Sequence, residues 1–494
     1  MVDLKNKVQF SILILLAIFP FGFGFIAATQ NFIHYKNFSI LLIEIMIILV
    51  SSFFIFIYRE KKPSTFLLIT ILFIGSIALR AIIMLLLETQ PSSDFQWAVI
   101  NASKFMDEDF KNNYNVISPH WATYSIFVSE LFKITGSSLI AIKILNLVLS
   151  GITCIGIFFL TKESSKSWPL GFVSSLFYIL FPADLLYKNL PTGDHLFTAI
   201  IPFVVILLSI GINNTLHRRY FSFLCFFFSG FLIGFIDLFK PIGLIILISS
   251  GITLVIFNNS KNISRSKNFL TALLVFTIII FGYYIPKNIG FSILSQKTTL
   301  SPFVGVYAKT IRIGMDINHG GFWHQETAEH VEEVYYSNGK NDLLTSKILL
   351  SETKEIISLN RQHLFDFFKD KFSYVWQSDY DFYHWAIKDQ NSVFSQFIDN
   401  NKFTLVVIDS YLLICLFFST IGSLYCFFLS KNVVTISTGF FLVGFSILLL
   451  FTEVQQRYRG VLVSCIPIYC SYGVYTIYRI FYLIRHKLAA MRNQ

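Results

Sequence analysis

Long apolar stretches broken by short polar ones set the pattern of this chain. From Phe66 to Leu87 only Thr70, Ser76 and Arg80 interrupt the apolar run, and a helix of that length covers the roughly 30 Å of hydrocarbon in a bilayer. Runs of this kind cover 8–29, 38–58, 66–87, 139–160, 170–188, 194–211, 219–238, 241–257, 269–286, 403–428, 433–452 and 460–482. Only helices or closed barrels satisfy every backbone group in lipid, and continuous apolarity without strand-like alternation selects helices. The pattern predicts an all-α polytopic membrane protein of about 12 crossings. The first run has no A-x-A cleavage pattern and is followed at once by a second, so it is read as a retained helix rather than a signal peptide.

Two long segments remain between the runs, 88–138 and 287–402, the second between crossings 9 and 10. They divide the chain into two N-terminal helices (1–62), a membrane core (63–286) that carries the first loop, a large loop or small domain (287–402), and C-terminal helices with a basic tail (403–494). In the first loop, Ser93 to Phe105 is amphipathic. Trp121 to Ile134, interrupted by Ser129, Glu130 and Lys133, is too short and polar to span, so both stretches are expected as interfacial helices. The large loop carries the Gly-rich turn GGFWHQE and a predicted helix from Leu343 to Trp376. A loop of this length usually forms a lid or small domain.

Composition agrees with a membrane protein: 54% of the residues are hydrophobic, 17% aromatic and only 14% charged. The net charge of +10 follows from topology. With a cytoplasmic N-terminus, the Lys and Arg residues of 1–7, 59–62, 162–166, 218–219, 261–267, 431 and 485–492 are inside. The short outer segments hold only Lys36, Lys188, Lys240, Arg457 and Arg459. This positive-inside bias places both termini in the cytoplasm and both long loops outside, and it accounts for the charge without nucleic acid. The six cysteines all fall in apolar runs and form no CxxC or disulfide pattern, so they are read as packing residues. Abundant Phe, Ile, Lys and Asn point to an AT-rich bacterial genome, and hence to a bacterial cell membrane.

The polar residues kept at the membrane boundary carry the candidate chemistry, because burying them is costly. Arg80, Asp94, Asp184, Lys188, Asp194, His195, Asp237, Lys240, Glu453, Arg457 and Arg459 all fall at the outer face. Carboxylates could serve as a base, and cations could stabilise an anionic leaving group. Ser93-x-x-Gln96 fits a capping box with Ser93 as N-cap, which alone accounts for an acid in the first turn. The position of Asp94 at the outer leaflet favours a catalytic role in addition. In TEVQQRYRG, Arg457 and Arg459 flank Tyr458 and form a cationic patch suited to phosphate; interfacial anchoring is the alternative. Asp237 and Lys240 are spaced to neutralise one another, and Asp194-His195 starts a crossing where capping is an equal reading. His319, His324, His330 and Glu326 lack metal-ligand spacing. The glycines of GMDINHGGFWHQE are read as turn formers rather than a nucleotide cradle, and no Walker sequence signals an ATP-driven transporter.

Taken in order, several segments resemble one family. They are SD-x-x-W after Arg80, SPHWATYSIFVSELFKITG, FLIGFIDLFKPIGLI, IRIGMDINHGGFWHQE and EVQQRYRG, across about 66–482. They resemble the bacterial GT-C glycosyltransferases (family 39-like) related to protein O-mannosyltransferases and the aminoarabinose transferase of lipid A. The resemblance implies a GT-C-type helical bundle and a polyprenyl-phosphate sugar donor, with undecaprenyl phosphate the default carrier. It further implies inverting transfer on the outer face to a glycan, lipid or protein hydroxyl in the cell envelope. Asp94 takes the position of the family's acceptor-activating acid, and Asp194 that of a second acidic residue. Arg457, Arg459 and Lys240 would bind the lipid phosphate. Arg80, His120, Glu453 and Tyr458 are candidate supporting residues. No cofactor is indicated, and cations can stabilise a monophosphate leaving group, so the chemistry does not require a divalent metal. The chain departs from the family at Gln96-Trp97 and Ser118-Pro119-His120, and its first two helices are additional to the simplest layout. A polysaccharide polymerase using diphosphate-linked glycans is the nearest competing function. A lipid-linked oligosaccharide flippase or other transporter would instead place polar groups at the midplane in paired halves.

Overall fold

The apolar runs fold as helices. The structure is a computed structural model that describes residues 18–35, 38–57, 60, 63–106, 118–214, 219–257, 265–298, 305–388, 392–400 and 402–492. Among the described residues there is no strand. Eight helices among the described residues are long and apolar enough to cross a membrane: Phe38–Ile57, Thr65–Leu87, Leu139–Ser165, Asp194–Asn214, Tyr220–Asp237, Phe269–Lys297, Phe403–Phe428 and Val433–Phe451. A ninth results if Gln456–Leu462 and Ile466–Leu488, which meet at 72°, are taken as one bent span. The protein is a multi-pass helical membrane protein.

The expected crossings differ from these helices in five places, one being the run 269–286, which continues as a single helix, Arg265–Lys297, so that the large loop begins after 297 rather than at 287. The run 170–188 splits into Trp168–Ile179 and Pro182–Tyr187; Pro182 has no N–H to donate, and Phe181 before it takes an extended conformation. The run 241–257 becomes Gly243–Phe257, whose 15 residues rise about 22 Å, less than a full hydrocarbon core. Of the first run, 8–17 lies outside the described residues. What is described is a π-helical turn, Ile18–Gly22, leading into Phe23–Ile33. The last helix begins at Ile466 rather than at 460. Lys36 and the basic residues of 1–17, 58–59, 61–62, 215–218 and 258–264 also lie outside the described residues.

Phe38–Ile57 is only 17% buried, as expected of a peripheral helix facing lipid, whereas Phe403–Phe428 and Val433–Phe451 are each 72% buried and form the centre. Two helix pairs meet through small residues. In Arg219–Asp237, Gly230 and Gly234 lie so close to Arg265–Lys297 that an added Cβ would stand 2.0 Å from the Ile279 and Tyr283 carbonyl oxygens. Gly422 and Gly473 bring Lys402–Phe428 equally close to Ile466–Arg492. In lipid such close approach replaces the missing hydrophobic drive between helices.

The first loop folds as Ser93–Lys104 and Pro119–Thr135, packed on one another. In the large loop the expected helix 343–376 is broken at Asn360 into Asp342–Leu359 and Leu364–Gln377. Leu364–Gln377 packs on Phe23–Ile33, so one N-terminal helix braces the large loop.

Candidate functional site

The segment before the two arginines is held by the large loop. Thr452 leaves its helix in an extended conformation. Glu453 N–H donates to the Thr310 carbonyl at 3.0 Å and Val454 N–H to the Gly321 carbonyl at 3.1 Å. Gly314 is a close-approach position, where an added Cβ would stand 2.0 Å from the Thr452 carbonyl carbon. Gly321, at φ 74°, is in the left-handed region where glycine carries no steric penalty. Lys371 Nζ donates to the Gly314 and Thr452 carbonyls at 2.6 and 2.8 Å, and burial pulls its ammonium down to about 7. The glycines read as turn formers therefore also clamp the strand-like TEVQ segment.

Beyond it, Gln456–Leu462 is a 3₁₀ helix. At three residues per turn, positions i and i+2 point to different sides. Arg459 turns inward: it is 1% exposed, ion-paired with Asp379, and donates to the Val375 and Ser378 carbonyls at 2.6 and 3.1 Å. Arg457 faces Asp94, with Nη2 3.6 Å from Oδ2, while its Nε donates to Gln455 Oε1 at 2.5 Å. Its guanidinium lies 4.8 Å from the Phe95 ring and 5.0 Å from the Trp385 ring, a geometry that holds a cation in place. The two arginines thus form no joint patch.

Asp94 is in the first turn of Ser93–Lys104, but the expected capping box is absent. The N-cap is Ser92, whose Oγ is buried without a partner among the described residues. Ser93 takes φ 53°, a left-handed conformation that costs a non-glycine residue energy and often marks functional sites. The Asp94 side chain stays 52% exposed, free to meet a ligand.

Asp94, His120, Asp194, Lys240, Glu453, Arg457 and Tyr458 all line one cavity of about 140 Å³. Asp194 is ion-paired with Lys240 at 3.0 Å and accepts from the Tyr187 hydroxyl at 3.1 Å. Lys240 also lies 4.8 Å from the Tyr458 ring. Glu453 accepts from Gln455 Nε2 at 2.7 Å and the Tyr458 hydroxyl at 3.0 Å, and burial raises its carboxyl above the usual range. Burial, aided by nearby Lys240, pulls the His120 imidazole down to about 3, so it is neutral. Ile242, Phe445, Leu448 and Leu449 form an apolar wall. A half-exposed carboxylate beside a fixed guanidinium, in a cavity with an apolar wall, can accept a proton and hold an anion in adjacent positions.

Other expected site residues fall elsewhere. Arg80 is buried against Asp184 at 2.6 Å, and its Nη2 also donates to the Tyr178 carbonyl at 3.1 Å. Asp237 pairs with Lys287 rather than Lys240, and also accepts from Tyr283 at 2.6 Å and the Gly243 N–H at 2.6 Å. His195 bonds Lys188 at 3.2 Å and the Leu190 carbonyl at 3.0 Å. His319 stacks on His324 and bonds Asp316 at 2.9 Å, while His330 pairs with Glu352 at 3.1 Å. No group of three or more metal-ligating residues occurs among the described residues.

Sequence reasoning did not select Trp121, Tyr124, Tyr187 and Thr192, which also line the cavity. One signal was available: Tyr124 follows His120 by four residues, so both lie on one helix face. No protein-family model matches the chain, and no curated protein matches it.

Proposed function

We propose that the protein is a GT-C-type membrane glycosyltransferase. It moves a sugar from a polyprenyl-phosphate carrier to an acceptor hydroxyl on the extracytoplasmic face of a bacterial membrane. The observation that carries this reading is the Asp94–Arg457 pair, 3.6 Å apart in a cavity that also holds the Asp194–Lys240 pair. The apolar wall of Phe445, Leu448 and Leu449 gives a prenyl chain a surface beside these charges.

In the proposed step, Asp94 takes the proton of the acceptor hydroxyl and the oxygen attacks the anomeric carbon. The bond from that carbon to the phosphate oxygen breaks, and its electron pair leaves with the phosphate. Arg457 and Lys240 hold the phosphate, and the anomeric configuration inverts. Asp194 is ion-paired with Lys240 and accepts from Tyr187, so it positions Lys240 rather than acting as a second base. Arg459 holds the large loop through Asp379 and contacts no donor.

The test is sugar transfer by the purified protein in liposomes, given either a labelled polyprenyl-monophosphate sugar or a diphosphate-linked glycan. Turnover with the monophosphate donor is expected. Turnover confined to the diphosphate donor would instead identify a polymerase, and lipid-linked glycan crossing the bilayer without transfer would identify a flippase.

A further inference from the structure

We infer that His120 and Tyr124 form a subsite for the hydroxyl groups of an uncharged sugar ring. This inference rests on the reading of the cavity as a sugar-transfer site and names what part of the donor its inner wall holds.

Two polar atoms carry the argument. His120 Nδ1 and the Tyr124 hydroxyl are both buried and have no hydrogen-bond partner among the described residues. Tyr124 is only 2% exposed. A buried polar group left unpaired costs free energy, and at the wall of a cavity a ligand or an ordered water can supply the missing partner. Of the buried side-chain atoms without a partner, these two belong to residues that line the cavity. They are four residues apart on Pro119–Thr135, one turn along a single face. A ligand that bonds both therefore needs polar atoms several ångströms apart, as the hydroxyls around a pyranose ring are.

The chemistry of the neighbours selects an uncharged ring. His120 is neutral and offers one donor and one acceptor nitrogen, and a tyrosine hydroxyl does both. The charge pairs of the cavity are Asp194 with Lys240 and Asp94 with Arg457. His120 and Tyr124 bring no charge to this wall of the cavity, so it recognises its ligand by hydrogen bonds rather than by ion pairing. The charged end of the donor belongs at Arg457 and Lys240, and the hydroxylated end at His120 and Tyr124.

Equilibrium binding to the full-length protein in nanodiscs tests this, with farnesyl phosphate and farnesyl-phosphate-linked glucose as probes. Tyr124→Phe should weaken binding of the glucosyl probe about tenfold, the worth of one hydrogen bond. It should leave farnesyl phosphate binding within twofold. The thermal midpoint of the ligand-free protein should not fall, because the substitution removes an unpaired hydroxyl and no contact. His120→Gln provides a second variant with the same expected pattern. Unchanged glucosyl binding in both variants, or equal losses for the two probes, overturns the subsite while leaving the transfer reading intact. Tighter binding of a 4-amino or 6-carboxylate sugar probe overturns the uncharged class. If farnesyl phosphate does not bind the wild-type protein, or binds equally well to Arg457→Ala, the transfer reading fails and the subsite falls with it.

Discussion

Arg457 Nη2 stands 3.6 Å from Asp94 Oδ2, beyond the 2.7–2.9 Å of a direct charge-assisted hydrogen bond. The guanidinium is held by aromatic rings and Gln455 rather than by the carboxylate. Asp94 therefore stands beside the cation without a direct hydrogen bond to it. On the proposed mechanism, Asp94→Asn should lower kcat by about 10²–10⁴-fold with little change in donor KM. A folded Asp94→Asn protein with full transfer activity would sink the assignment.

The two arginines should respond in opposite ways. Arg457→Ala should raise donor KM at least about tenfold while the protein stays folded. Arg459→Ala leaves Asp379 as a buried unpaired acid and should cost about 3–5 kcal/mol of stability, seen as lost yield and a lowered thermal midpoint. A double Arg459→Met, Asp379→Leu variant should recover much of that stability, since removing both charges leaves neither unpaired. Equal loss of donor binding in the two single variants would contradict this division.

Gly314→Ala tests the clamp on the TEVQ segment. The added methyl would meet the Thr452 backbone at 2.0 Å, and backbone cannot rotate away as a side chain can. A cost of about 1–3 kcal/mol is expected, together with a lower kcat, because displacement of Thr452 carries Glu453 and Arg457 with it. Protease sensitivity of the large loop and transfer rate should change together.

His120 supplies a stability signature in pH. The imidazole titrates at 6.5 when unperturbed and at about 3 in the folded protein. Between these values the unfolded chain binds the proton and the folded chain does not. Stability is therefore full above about pH 6.5 and falls as pH drops toward 3, by up to about 1.4 kcal/mol per unit. His120→Gln should flatten this acid limb; an unchanged difference in thermal midpoint between pH 7 and pH 5 would show that His120 is not its source.

By itself the sequence determined the helical membrane class, the two helices of the first loop, and the charged residues that line the cavity. Apolar runs fix helices in lipid because no other open structure satisfies the backbone, and charged residues at run ends are rare enough to stand out. Tertiary structure alone decided which of those residues meet. Arg457 and Arg459 look equivalent in TEVQQRYRG, yet a 3₁₀ turn sends one toward Asp94 and the other to Asp379. Lys240 is spaced to pair with Asp237, yet Lys287 takes Asp237 from a neighbouring helix and leaves Lys240 for Asp194. Tyr187 gave no sign of a site, and Tyr124 only its spacing from His120, because an aromatic residue on a packed helix reads as core until its neighbours are known. A buried charge or hydroxyl takes whichever partner the packing brings within about 3 Å, and those partners come from elements far apart in the chain.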